Sequence, residues 1–209
     1  MNKKLKFFLL AFFSFLLFVL FSYFVNKGHF TQIDFNTTVR LQDHIITHRF
    51  DTLFSIFSLV GSAEVVSLIL LAILIIYRKL GLLIALPAFA AFHIIELFGK
   101  VFVNHPGPPY LFFRYDIPFM FPTAYVQPGS SYPSGHAARA AFISVILILL
   151  TARSKKITAN KKLIIYAAIF VFDITMFVSR IYLGEHWTSD VIGGAILGFS
   201  FGVASIIFI

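Results

Sequence analysis

The sequence predicts an all-α integral membrane protein, a bundle of six transmembrane helices with both termini in the cytoplasm. The chain is 59% hydrophobic and only 12% charged, and its mean hydropathy of +0.89 exceeds that of soluble domains. A helix needs about 20 apolar residues to cross a bilayer. Six runs have roughly this length: 6–25, 53–77, 80–99, 135–152, 163–182 and 188–208. Because the connections between them are short, residues 1–209 are expected to form a single domain.

The basic residues predict the orientation. Ten of the 17 Lys and Arg residues lie at the N-terminus and in the second and fourth connections: Lys3, Lys4, Lys6, Arg78, Lys79, Arg153, Lys155, Lys156, Lys161 and Lys162. Cytoplasmic loops carry such an excess, so the connections after spans one, three and five face outward. The net charge of +8 is therefore a topology signal, and no nucleic-acid partner is expected.

The N-terminus begins like a signal peptide. Its apolar stretch is too long, however, and no small-x-small cleavage site follows, which predicts an uncleaved first span. The chain has no cysteine, which excludes disulfides, thiol catalysis and cysteine–metal sites.

Residues 26–52 have the pattern of an amphipathic helix at the outer interface. Apolar residues recur there at near-helical spacing: Phe35, Val39, Ile46 and Phe50. Four potential metal ligands also occur, but a solvated polar face is the favoured interpretation: Asp34, Asp43, His44 and His48. We therefore expect no metal here.

Several ionisable residues lie inside the predicted spans, where charge is costly and normally faces the bundle interior. They are Glu64, His93, Glu96 and Asp173, and Lys100 closes the third span. We expect His93, Glu96 and Asp173 to position a site at the outer ends of the spans, whereas an ion path through these residues and Glu64 is less favoured. The long connection 101–133 is rich in proline, which blocks helix continuation, and predicts a structured cap around that site.

The stretch "SRIYLGEHWTSD" concentrates charge in an otherwise apolar chain. His186 and Asp190 are four residues apart, so a helix would place them on one face. The carboxylate could then accept the Nδ1–H of the imidazole and leave Nε2 free as a nucleophile or base. Arg180 offers a planar fork suited to phosphate oxygens.

The segment "YPSGHAARA" opens span four on the same outer side. Ser134 is a natural N-cap, and Gly135 would let backbone N–H groups approach an anion at the helix N-terminus. His136 would stand beside that anion as a general acid. With Lys100 as a further cation, these residues describe a phosphoryl-transfer site that needs no metal and no cofactor.

Together, "PSGH" and "SR-x5-H-x3-D" resemble the second and third motifs of the type-2 phosphatidic acid phosphatase superfamily. The resemblance implies six helices, an outward-facing site and hydrolysis of lipid phosphates or lipid pyrophosphates. It implies that His186 forms a phosphohistidine, that Asp190 orients it, and that His136 protonates the leaving oxygen and then activates water. The phosphate would be bound by Lys100, Arg180, Ser134 and Gly135.

One position departs from the family's first motif, K-x6-R-P. Starting from Lys100, the motif requires arginine where this chain has Gly107. Arg139, on the helix face of the "PSGH" histidine, is the favoured replacement. His105 or Arg114 in the cap could contribute instead, or the site could have lost activity.

Three other functions stay open. The same phosphohistidine could pass its phosphoryl group to a lipid or sugar hydroxyl, which would make the protein a phosphotransferase. A transporter or a non-catalytic binding protein is less favoured, because the sequence has no inverted repeat and keeps the reactive residues. Among substrates, phosphatidic acid, phosphatidylglycerol phosphate and undecaprenyl pyrophosphate are compatible, and family analogy puts the last slightly ahead.

Overall fold

The computed structural model of the chain describes residues 2–44, 49–78, 80–121 and 130–207. These residues are helical, as predicted, and contain eight α-helices: α1 Lys3–Asn26, α2 Thr31–His44, α3 Arg49–Ser58, α4 Ala63–Tyr77, α5 Ala85–Phe102, α6 Gly135–Arg153, α7 Ala159–Tyr182 and α8 Thr188–Ser205. Short 3-10 segments precede α4 and α5 and lie in the cap: Leu59–Gly61, Leu80–Ile84 and Tyr110–Phe112.

Five helical segments in the described part of the chain are long and apolar enough to cross a membrane: Lys3–Asn26, Leu80–Phe102, Gly135–Arg153, Ala159–Tyr182 and Thr188–Ser205. The second predicted span differs, because α3 and α4 meet at a bend of 48°. Ser62 causes a local restart of the helix there, since its Oγ accepts a hydrogen bond from Val65 N at 3.3 Å. Counted as one bent span, the pair brings the total to six.

Helix α8 packs against α6, α1 and α5. It approaches α6 most closely through its glycines: a Cβ at Gly198 would overlap the backbone of Ala138. On its other side α6 contacts α7, where Ser144 Oγ donates a hydrogen bond to Asp173 Oδ1 at 2.7 Å. The pair formed by α6 and α8 is therefore the packed centre of the bundle.

Helix α2 occupies the predicted interface segment, but the face it buries is polar. Asp34, Thr38 and Gln42 are buried, whereas Ile33 and Phe35 are exposed. The interpretation of Asp34 as part of a solvated face is therefore wrong: its carboxylate is enclosed by protein groups that hydrogen-bond to it. The exposed residues of α2 are mixed, since Gln32, Asn36 and Arg40 accompany Ile33 and Phe35.

The other residues of this segment fall into three groups. Phe50 belongs to α3, so the predicted apolar series spans two helices instead of one. Asp43 and His44 are exposed, as expected for a solvated face. Ile46 and His48 lie outside the described residues.

The basic clusters lie at the end of the bundle remote from the cap. Helix α1 ends beside the cap, where Asn26 Oδ1 accepts a hydrogen bond from Asn104 N at 2.8 Å, so Lys3 is at the far end. Helix α6 begins directly after the cap and ends at Arg153. This arrangement is the one that the positive-inside pattern requires if the cap faces outward.

Candidate active site

The two sequence motifs meet at the N-termini of α6 and α8. Ser134 N donates a hydrogen bond to the Asp190 carbonyl at 2.9 Å, and a Cβ at Gly194 would overlap the Ser134 backbone. The predicted N-cap is confirmed, since Ser134 Oγ accepts from Ala137 N at 3.5 Å. Close backbone contact therefore fixes "PSGH" beside the first turn of α8.

His186 and Asp190 lie together without the predicted hydrogen bond. The His186 Nδ1 atom is 3.5 Å from Asp190 Oδ2, and none of the described residues forms a hydrogen bond with it. Asp190 Oδ2 instead accepts from Trp187 N at 2.8 Å, and Oδ1 accepts from His105 Nδ1 at 2.8 Å. The two side chains are thus adjacent, as the spacing predicts, while the shortest contacts of Asp190 are to a backbone amide and a cap histidine.

The imidazole of His186 is set up to stay neutral. Burial lowers the pKa of His186 to about 4, with Lys100 and Arg180 acting in the same direction and Asp190 opposing it. A neutral ring keeps a lone pair, which a nucleophile needs. The ring can therefore act as a nucleophile at neutral pH.

Arg180 is a buried cation with free donors. Only 1% of its surface is exposed, and its Nη2 forms an ion pair with Glu185. Within the described part of the chain, its Nε and Nη1 have no partner. Buried donors are normally satisfied, so two free donors on one guanidinium indicate a site for an anionic ligand.

Lys100 reaches this region from the end of α5. Its Nζ donates to the Pro133 carbonyl at 3.4 Å and lies 3.9 Å from Glu96 Oε1. Lys100 thus stands next to the N-terminus of α6, as predicted. The same face of α5 carries Glu96, as the spacing indicated.

Arg139 is held by three elements. Its Nε donates to the Gly61 carbonyl at 2.8 Å, and its Nη1 lies 3.5 Å from Glu96 Oε2. Its Nη2 lies 3.5 Å from His136 Nδ1. The break in the second span therefore helps to position Arg139, because the Gly61 carbonyl at that break accepts the hydrogen bond from Nε. His93 Nε2 also lies 3.4 Å from Nη1.

Gly135 has a different neighbour from the one expected. A Cβ there would overlap the Glu96 carboxylate and lie 2.8 Å from Arg139 Nη1. The glycine thus admits a protein carboxylate to the start of α6. From the sequence, only the phosphate was expected to lie close to the backbone of Gly135.

The other two residues that could replace the missing arginine both contact other protein groups. His105 contacts Asp190. Arg114 donates to Tyr182 Oη at 3.3 Å, and its guanidinium lies 5.3 Å from the centre of that ring. Gly107 itself would tolerate a Cβ, whose nearest neighbour is the side chain of Ser131 at 3.5 Å.

The cap covers the connection between α7 and α8. Trp187 Nε1 donates to the Pro106 carbonyl at 2.8 Å, and Gln42 Nε2 donates to the carbonyls of Phe112 and Tyr182 at 2.7 and 2.8 Å. Gly184, with φ of +69°, packs directly on the Phe112 carbonyl, where a side chain would not fit. Residues 122–129 of the predicted cap lie outside the described part.

Sequence reasoning missed the contribution of α2. Asp34, Thr38 and Gln42 recur every four residues and form its buried face. This polar periodicity was visible in the sequence, but polar residues in a connection are normally assigned to solvent. Among the described residues, no group of three or more His, Asp or Glu side chains is arranged to hold a metal ion.

Three comparisons bear on this geometry. The family model for the PAP2 superfamily matches residues 76–209. Phosphatidylglycerophosphatase B of Bacillus subtilis (strain 168) is 32% identical over 68 residues, and this match spans about a third of each protein, 32% of this chain and 34% of the relative.

Two solved structures have a similar fold. The first transmembrane PAP2 type phosphatidylglycerolphosphate phosphatase from Bacillus subtilis superposes with a TM-score of 0.72 over 93% of both chains, at 18% identity. LpxE of Aquifex aeolicus gives a TM-score of 0.62 over 83% of this chain and 94% of its own, at 24% identity. At these identities the likeness establishes the fold alone.

The matched range holds both motifs that meet at the helix N-termini, "PSGH" and "SR-x5-H-x3-D". It covers well over half of the chain, and the six-span architecture agrees with it. This protein belongs to the PAP2 superfamily.

Proposed function

We propose that this protein hydrolyses the phosphate or pyrophosphate group of a membrane lipid through a phosphohistidine, with no metal ion. The observation that carries the proposal is the buried Arg180: no described residue bonds its Nε or Nη1, and a neutral His186 lies close by. A phosphoryl group would satisfy these donors and present its phosphorus to the imidazole.

The chemistry takes two steps. In the first, His186 Nε2 attacks phosphorus, the bond from phosphorus to the lipid oxygen breaks, and His136 gives its proton to that oxygen. In the second, water attacks the phosphohistidine, the P–N bond breaks, and His136 takes the proton from the water. The products are inorganic phosphate and a lipid alcohol, or a lipid monophosphate when the substrate is a pyrophosphate, and His186 and His136 return to their starting states.

Asp190 orients His186, and Lys100, Arg180, Ser134 and Gly135 bind the phosphate. Arg139 takes the place of the arginine that the first motif lacks. Its position supports this, because Nη2 lies 3.5 Å from His136 Nδ1, where the guanidinium adds positive charge beside the phosphate and holds the general acid in place. Arg139→Gln should lower kcat/KM by about 10- to 100-fold through these losses. Near-normal activity in Arg139→Gln would remove Arg139 from the mechanism.

The active site faces the extracytoplasmic side, since the basic residues lie at the opposite end of the bundle. The substrate class is a phosphorylated glycerolipid or a prenyl pyrophosphate. The names of the Bacillus subtilis relative and of the Bacillus subtilis structure support phosphatidylglycerol phosphate. Undecaprenyl pyrophosphate, favoured by family analogy, remains the main competitor.

The test is phosphate release by detergent-purified protein in excess chelator. The substrates are phosphatidylglycerol phosphate, phosphatidic acid, undecaprenyl pyrophosphate and a soluble phosphate ester. We expect release from at least one lipid in chelator, and a loss of at least about a thousandfold in His186→Ala. His44→Gln, which changes an exposed histidine of α2, is the matched control and should keep full activity.

Three outcomes would overturn the proposal. Loss of activity in chelator would show that the reaction needs a metal ion. Activity retained in His186→Ala would remove the phosphohistidine. Label from a phosphate-labelled lipid that moves only to an added lipid or sugar alcohol, with no free phosphate, would identify a phosphotransferase.

A further inference from the structure

The carboxylate of Asp190 is bound on its far side by a residue that the proposed reaction does not use. His105 Nδ1 lies 2.8 Å from Asp190 Oδ1, a closer contact than the 3.5 Å between His186 Nδ1 and Oδ2. His105 belongs to the cap, and only 6% of its surface is exposed. The Asp190 carboxylate therefore lies between two histidines and has its shorter contact with His105.

The second nitrogen of His105 faces another carboxylate. Its Nε2 lies 3.5 Å from Asp34 Oδ2, and Asp34 and Asp190 are 2% and 0% exposed. A neutral imidazole has a single N–H, so one of the two buried carboxylates would face a lone pair. An imidazolium donates to both. Burial alone would lower the pKa of His105, but the hydrogen bonds to Asp190 and Asp34 outweigh it and raise that pKa to about 9.

Asp34 is itself fixed to the first turn of α8. Its Oδ1 accepts from Ser189 N at 2.8 Å, and its Oδ2 accepts from Ser189 Oγ at 2.7 Å. Helix α2 thus caps α8 from outside and also holds His105 against Asp190. The chain of contacts runs from α2 through the cap to the catalytic turn.

We propose that His105 is a positioning residue: an imidazolium clamped between Asp34 and Asp190 that fixes the Asp190 carboxylate and balances its charge beside His186. This inference rests on the proposed function, because it assigns a role within that reaction. It also gives helix α2 a part in catalysis through Asp34.

The charge balance has a consequence that packing alone would not have. Without the cation at His105, the negative charge of Asp190 is uncompensated and favours protonation of His186. The pKa of His186 then rises from about 4, and the acid limb of kcat/KM, which reports the neutral nucleophile, moves to higher pH. A merely structural loss would lower kcat/KM equally at all pH values.

Three groups in the described part of the chain face the ring of His105. They are Asp34 from α2, Asp190 from α8 and the ring of Tyr132, whose centre is 6.3 Å from that of His105. Burial raises the pKa of Tyr132, so this side chain stays neutral throughout the range considered. The two carboxylates therefore control the titration of His105.

The experiment measures kcat/KM against pH for wild type, His105→Gln and the control His44→Gln. Glutamine can still donate one hydrogen bond to Asp190 but carries no charge. We expect the acid limb of His105→Gln to move up by roughly one pH unit, as a lost charge at this distance predicts. His44→Gln should follow the wild-type profile. An unshifted limb in folded His105→Gln would overturn the charge-balancing role.

A second readout does not depend on activity. In spectra of ¹⁵N-histidine-labelled protein, the signal absent from His105→Gln identifies His105, which should stay doubly protonated up to about pH 9. In Asp34→Asn its titration midpoint should fall, because one of the two anions is neutralised. Titration of His105 near its ordinary value in wild type would disprove the clamp. If no lipid is hydrolysed, the proposed function fails, yet these spectra still decide whether the clamp exists.

Discussion

Helices α1 and α6 are both apolar enough to span a membrane, yet they are packed very differently. Helix α1 is the most apolar of the five unbroken spans, and three of its 24 residues are buried. Helix α6 is less apolar, and twelve of its 19 residues are buried. In this protein, high hydropathy marks contact with lipid and not contact with other helices.

The difference follows from the solvent. Lipid tails are as apolar as leucine, so the hydrophobic effect does not draw helices together within a bilayer. Close van der Waals packing and buried polar contacts do so instead. Helix α6 is rich in small residues, and α8 meets it with Gly194 and Gly198, where a Cβ would overlap its backbone. The active site stands at the end of this packed pair, where the geometry is most constrained.

The largest expected effect is a cavity in the packed pair. Phe142 of α6 is fully buried, with ring centres 5.5 and 5.3 Å from those of Phe89 and Phe92. Phe142→Ala should lower the free energy of unfolding by about 3–5 kcal/mol, because the surrounding helices cannot close the gap. Thermal unfolding in detergent and reversible unfolding in mixed micelles would measure it. A loss below about 1 kcal/mol would show that this region is not tightly packed.

A smaller effect is expected from a single added methyl group. In Gly198→Ala the new Cβ would overlap the Ala138 carbonyl, so α6 and α8 must move apart. Overpacking of this kind typically costs about 1–3 kcal/mol. Activity should fall as well, since the two motifs depend on the same contact. Wild-type stability together with wild-type kcat/KM would mean that the helices are not in contact at Gly198.

The contact between α6 and α7 should matter less. Ser144→Ala removes the hydrogen bond to Asp173 and leaves a half-buried carboxylate without this donor. We expect a loss of about 1–2 kcal/mol with kcat/KM nearly unchanged, because Ser144 lies away from the reactive groups. A large drop in kcat/KM in stable Ser144→Ala would instead connect Asp173 to catalysis.

The smallest effect completes the comparison. Phe13 of α1 is 61% exposed, so Phe13→Ala mainly changes contacts with lipid and not contacts within the protein. The same chemical change that is severe at Phe142 should here stay within about 0.5 kcal/mol. Equal losses at the two positions would contradict the distinction between lipid-facing and packed helices.

The local sequence predicted the spans and the reactive motifs. Length and hydropathy are properties of a continuous stretch, so α1, α6, α7 and α8 could be located within a few residues. The capping of α6 by Ser134 is equally local. The bend between α3 and α4 was not predicted, because an apolar run that long reads as one helix.

The tertiary structure alone decided which charged groups meet. His105 and Asp190 are 85 residues apart in sequence, and Asp34 and Ser189 are 155 apart, so no spacing rule connects them. Arg139 meets the Gly61 carbonyl only because the second span breaks there. A sequence identifies helices that can enter a membrane and residues that can react. The partners of a buried charge depend on how those helices pack, since each must satisfy its hydrogen bonds within the protein.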